Sequence, residues 1–151
     1  MSNGVPTKVK LRLRGILLNN YDCDLCGDQE ESISYLFFTC KVANMVWNLC
    51  NRWVGVLSVQ HNQEENFQQF HLIEFNYKGN IIWKGVWMAI MLSIWKHRNN
   101  LVFRNAKSDA EEIFSIAQLR AWVWLKHKNT KVSFSSSDWC LCPLHCIRSL
   151  S

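Results

Sequence analysis

Residues 81–103 constrain this chain more than any other stretch. Ile82, Val86, Ile90 and Ile94 recur at four-residue steps with Trp95 near the same stripe, and Trp83, Trp87 and Met91 widen it beyond a single face. A helix with so broad an apolar surface needs burial on more than one side, so other elements must pack around it. Its most apolar part, residues 85–95, is bracketed by Lys84 and Lys96. That falls well short of the roughly 20 apolar residues a membrane-spanning helix requires. The segment predicts a buried helix, with no membrane association, at the centre of a mainly helical domain.

The flanking sequence supplies the helices that would cover it. Residues 42–56 carry Val42, Met45, Val46, Leu49, Cys50, Trp53 and Val54 at helical spacing, with Gly55 placed to stop the helix in a left-handed cap. Downstream, Ser108 and Glu111 have the spacing of a capping box ahead of Ile113, Ile116, Ala117, Leu119, Trp122 and Val123. Two long helices joined by a short turn predict an antiparallel pair over residues 81–128. Residues 58–80, polar and containing His61 and His71, read as a connecting loop. Past Lys126 the periodicity dissolves, and residues 129–151 read as a flexible tail with a serine run and the cluster Cys140, Cys142, His145 and Cys146. Metal binding by that cluster is the minor alternative, because ligands so close in sequence rarely wrap a tetrahedron alone.

A length of 151 residues suits one domain, and 48% hydrophobic against 19% charged residues excludes wholesale disorder. Seven cysteines cannot all close into disulfides. Lys8, Lys10, Arg12 and Arg14 stand where the apolar region of a secretory leader would run, and no N-glycosylation acceptor occurs. Both features predict an intracellular setting, nuclear or cytoplasmic, in which cysteines serve as thiols or metal ligands.

The chemistry concentrates near the start. Cys23 and Cys26 form a C-x-x-C pair followed by Gly27, the spacing of a metal knuckle, and Cys40 supplies a third thiolate. Residues 30–39 read as a short helix with Ile33, Leu36 and Phe37 on one side, able to carry Cys40 onto the turn. Spacing marks no fourth ligand: Asp22, Asp24, Asp28, Cys50, His61 or water could fill the place, and Tyr35 is a poor zinc ligand because its phenol ionises near pH 10. Cys50 lies on the apolar face of its helix and reads as a core thiol. Upstream, residues 6–16 place cations at every second position. A strand would gather them on one face, and a helix opened by Pro6 and stopped by Gly15 would spread them. Lys8, Lys10, Arg12 and Arg14 are the candidate nucleic-acid contacts, acting by phosphate neutralisation and counterion release, and a solvated basic face is the alternative. The net charge of +5 allows such a partner without demanding it.

No catalytic constellation emerges. Tyr21-Asp22-Cys23-Asp24 imitates the paired aspartates of a polymerase but is interrupted by the first thiol of the knuckle, and no glycine-rich phosphate loop is present. The chain reads as a non-enzyme with no small-molecule substrate.

The ordered set Pro6-Thr7-Lys8-Val9, Arg14-Gly15-Ile16, Cys23-x-x-Cys26-Gly27, Glu30-Glu31-Ser32, Leu36-Phe37-Phe38-x-Cys40 and Val46-Trp47 resembles the zinc-binding domain of reverse transcriptases in non-LTR retrotransposon polyproteins, abundant in plants. Ile94-Trp95-Lys96-x-Arg98-Asn99, Val102-Phe103 and Ala121-Trp122 are similar to the segment downstream of that domain in the same elements. The resemblance assigns residues 1–57 to the zinc-binding-like segment and implies a Cys, Cys, His, Cys ligand set. Cys23, Cys26 and Cys40 occupy three of those places, while Tyr35 stands at the histidine. The family pattern begins with a helix ahead of Pro6 that this sequence lacks. It implies zinc as cofactor, and nucleic acid or a reverse-transcriptase polymerase domain as partner. A helical docking module, or a retroelement relic that no longer binds zinc, remains the alternative.

Overall fold

The computed structural model describes residues 5–55, 76–104 and 108–150. These are mainly helical. Among them no strand forms, and the one isolated β-bridge pairs Asp22 with Glu30. His61 and His71, together with most of the segment read as a connecting loop, lie outside the described residues.

The basic stretch resolves as helix. Helix α1, Lys8–Leu13, is capped by Thr7, whose side chain accepts from the Lys10 amide, and the chain leaves it through Gly15 at φ 82°. The knuckle follows. Here the expected helix over residues 30–39 is shorter than its pattern, because Glu30 is held in the bridge and Glu31 donates its amide to the Tyr21 carbonyl. What remains is a π-helical turn, Tyr35–Thr39, closed by the Cys40 amide on the Tyr35 carbonyl at 2.7 Å.

Helix α2, Lys41–Val54, starts directly from Cys40 and stops at Gly55, which takes the left-handed cap at φ 74°. It buries Val42, Val46, Trp47, Cys50 and Val54, whereas Met45 turns outward. Helix α3, Tyr77–Arg104, is the central element and begins inside the segment read as loop. Ile82, Trp83, Val86, Trp87, Ile90, Met91 and Ile94 are all buried.

Helix α4, Ala110–Lys128, takes its cap from Asp109, which accepts from the Glu111 and Glu112 amides, and not from Ser108. Its buried stripe is Ala110, Ile113, Phe114, Ala117, Ala121 and Leu125. Ile116, Leu119 and Val123 of the expected face are exposed. Small residues at Ala117 and Ala121 let α4 lie close to α3. The antiparallel sense is fixed by two contacts: Trp124 covers Gly85, and Arg120 reaches Ser93.

The segment read as a flexible tail instead forms α5, Ser136–Leu141, and α6, Pro143–Leu150. Ser135 and Asp138 make a reciprocal capping box that starts α5. Trp139 is fully buried, donates its indole N–H to the Gln118 carbonyl at 3.0 Å, and meets Trp53 edge-on at 5.1 Å between ring centroids. Trp53 in turn donates to the Cys140 carbonyl at 2.8 Å. The last helices therefore close the core between α2 and α4. No described helix is long and apolar enough to cross a membrane.

Candidate metal centre and the basic helix beside it

The fold brings Cys23, Cys26 and Cys40 together, with their sulfurs all within 4.8 Å of one another. Cys23 and Cys40 are buried and Cys26 half-buried. Two local devices produce the convergence. The Gly27 amide returns to the Cys23 carbonyl at 2.7 Å with Gly27 at φ 74°, which folds the C-x-x-C turn back on itself. The π-helical turn then delivers Cys40 to the first residue before α2; such turns concentrate at functional sites.

Electrostatics set Cys40 apart from Cys23 within the triad. A hydrogen bond from the Cys23 thiol lowers its ionisation below the ordinary cysteine range, and the Val42 and Ala43 amides at the start of α2 add to this without forming a full side-chain cap. The same hydrogen bond, and then burial, raises Cys23. A tetrahedral zinc with sulfur ligands at about 2.3 Å needs sulfurs about 3.8 Å apart, which a cluster of this size reaches by side-chain adjustment. The three thiols fit such an ion.

Tyr35, which the resemblance aligns with the histidine ligand, lies beside one of the three thiols. Its hydroxyl lies 3.1 Å from the Cys26 sulfur, a contact in which either atom can donate. Burial, then the Cys26 hydrogen bond, then the charges of Cys26, Cys40 and Cys23 raise its ionisation above the ordinary phenol range. The Tyr35 hydroxyl thus borders the triad at Cys26, and burial keeps it a neutral phenol. Cys50 stays apart as a core thiol, fully buried, with its ionisation raised by desolvation. Among the described residues no other group of Cys, His, Asp or Glu could hold a metal, so the Cys140, Cys142, His145 and Cys146 cluster is not assembled as a site.

Glu31 is the residue that sequence reasoning missed. It is fully buried, and its two oxygens accept from the Lys8 amide at 3.1 Å, the Asp24 amide at 3.2 Å, Arg98 Nε at 3.1 Å and Arg98 Nη2 at 2.6 Å. All four acceptor positions of the carboxylate are used. Arg98, itself buried, also stacks on Trp95 at 5.1 Å and lies 3.2 Å from Asp24 Oδ2, an ion pair without an aligned hydrogen bond. One carboxylate thus ties α1, the knuckle and α3 into one body. The only signal in the sequence is that Glu31 and Arg98 both fall in strings that resemble the retrotransposon pattern, 67 residues apart.

The four candidate cations divide into two kinds. Lys8 is 2.7 Å from Asp24 and donates also to the Asp22 carbonyl, and Arg12 makes a two-pronged pair with Glu30 at 2.7 and 2.9 Å while covering the Tyr21 ring. That pairing raises Arg12 and lowers Glu30. Lys10 and Arg14 have no ion-pair partner among the described residues; Arg14 is exposed and Lys10 half-buried. The alternating cations are therefore split by function, two docking α1 on the acidic knuckle and two left facing outward.

Against known proteins, residues 1–47 match the family described as zinc-binding in reverse transcriptase. This covers α1, the knuckle with its three cysteines, the π-helical turn and the first half of α2. No curated protein and no solved structure matches the chain.

Proposed function

We propose, from the match of residues 1–47 to the family described as zinc-binding in reverse transcriptase, that the protein is a non-catalytic module in which Cys23, Cys26 and Cys40 hold one zinc ion and α1 contacts nucleic acid. The observation that carries this reading is the convergence of three thiols inside the matched segment. Zinc, when bound, supplies a cross-link between the C-x-x-C turn and the start of α2. A water completes the coordination, since Tyr35 is held as a neutral phenol. Lys8, docked on Asp24, then orients α1 so that Lys10 and Arg14 face phosphates. Arg12 adds to them by exchanging its exposed partner Glu30, a pair of the kind worth little in water. The family concerned is a zinc-binding one and not the polymerase itself, which fits a role in positioning nucleic acid without chemistry. Motifs beyond residue 47 support an origin in a non-LTR retrotransposon polyprotein, with a polymerase domain as the natural neighbour.

Metal analysis of protein purified under reducing conditions tests the first part. One zinc per chain is expected, lost in Cys40→Ser and held more tightly in Tyr35→His. Zinc absent from both the parent and Tyr35→His sinks the metal reading. A salt titration of RNA and DNA binding tests the second. Replacing Lys10 and Arg14 by Ala should reduce the slope of log K against log salt by about 0.7–0.9 per cation. Binding that ignores both salt and these substitutions removes nucleic acid as the partner.

A further inference from the structure

The outward face of α4 has no role in the metal centre or the core, yet it carries the pattern of a helix seam. Ile116, Leu119 and Val123 are 37%, 51% and 42% exposed, and with Glu112 before them and Lys126 after them they follow alternating four- and three-residue steps. That is the spacing by which one helix packs along another. Charge is divided along the same helix: Asp109, Glu111 and Glu112 at its start, Lys126, His127 and Lys128 at its end. The division suits the helix dipole, but the dipole gives no reason for three large apolar side chains to face water between the charged ends.

Beside this stripe runs an apolar groove of about 530 Å³ between α3 and α4, bordered by Met88, Leu92, Trp95 and Trp124. Arg120 enters it half-buried, donates to Ser93 Oγ at 3.1 Å, and has no carboxylate partner among the described residues. The stripe and the groove are contiguous, because Arg120 and Trp124 lie on the helix face next to Ile116 and Val123.

We propose that this face binds a second copy of the chain, with the two α4 helices antiparallel across a two-fold axis. The charge pattern selects the occupant and its direction. A parallel copy would bring acid to acid and base to base. An antiparallel copy brings the acidic start of one helix beside the basic end of the other, and the apolar residues meet at the centre. A two-fold crossing α4 between Ile116 and Leu119 sets Glu112 of one copy between Arg120 and Lys126 of the other, giving the half-buried guanidinium a carboxylate. The 19-residue helix, about 28 Å long, presents a seam that the α3 side of the groove widens. The stripe lies outside residues 1–47, of which Val5 and Phe37 line only the groove beside it, and the inference does not depend on the metal reading.

The test is the mass of the full chain in reducing buffer by sedimentation equilibrium across concentration and salt. A dimer is expected, loosening as salt rises. Leu119→Lys should raise its dissociation constant by about tenfold or more, the scale of losing a central apolar contact. Helicity should be unchanged, because Leu119 supports no core residue. Glu112→Lys alone should weaken the dimer by setting a cation against Arg120 and Lys126, and adding Lys126→Glu should recover the part of that loss that comes from Lys126. A chain that stays monomeric up to about 100 µM, which excludes a physiologically relevant affinity, overturns the proposal. So does a dimer indifferent to Leu119→Lys, or one in which Lys126→Glu recovers none of the loss caused by Glu112→Lys.

Discussion

At the scale of single residues the fold depends most on Glu31. A carboxylate with no solvent exposure costs several kcal/mol to desolvate, and it is held here only because Arg98 and two backbone amides satisfy it completely. Removing the charge leaves Arg98 buried with Asp24 as its remaining acid. Glu31→Gln should therefore destabilise the protein by about 3–5 kcal/mol in urea unfolding, the range seen when one partner of a buried pair is deleted. Arg98→Met beside Glu31→Gln should cost less than either change alone. A loss under about 1 kcal/mol for Glu31→Gln would mean that the tie between the knuckle and α3 contributes little to stability.

Among the elements, the pair α3 and α4 shows how packing decides what periodicity leaves open. The α3 stripe is legible in the sequence because its apolar residues surround most of the helix, so any register buries many of them. In α4 two faces compete: Ile116, Leu119 and Val123 on one, Ala117, Ala121 and Leu125 on the other. Hydropathy favours the larger side chains, yet the alanines win the core because α3 comes too close for anything bulkier. The same closeness explains Gly85, where a Cβ would stand 2.3 Å from the Trp124 ring. Gly85→Ala should cost about 1–3 kcal/mol by overpacking, despite the better helix propensity of alanine. Trp124→Ala in the same chain should make that substitution neutral or favourable. Thermal melts of the two single variants and the double variant measure this coupling. The C-x-x-C turn and Gly55 are legible from spacing and residue type alone. The closure of the knuckle by Glu31 is not, since a contact 67 residues away in sequence leaves no local period.

For the molecule as a whole, the cysteine knuckle and the helices share one tryptophan-rich core. Trp53 meets Trp83, Phe114 and Trp139, and Phe134 stacks on Trp139 at 6.1 Å. Two of these rings belong to the end of the chain that reads as a tail, because helices of 6 and 8 residues hold too few turns for a stripe to stand out. Trp139→Ala should cost about 3–5 kcal/mol and shift the emission of Trp53 to longer wavelength as water reaches it. Retention of the parent melting temperature would show the last two helices to be an accessory.

The hydrogen bond from Trp53 to Cys140 spans 87 residues. Its consequence is an order of events on the ribosome. At typical synthesis rates those residues take roughly 4–17 s to make, and through that interval the indole face of Trp53 has neither Trp139 nor Cys140 to cover it. The nascent chain thus keeps one face of Trp53 open until its last helices have been made, and the core closes at the end of synthesis and not before.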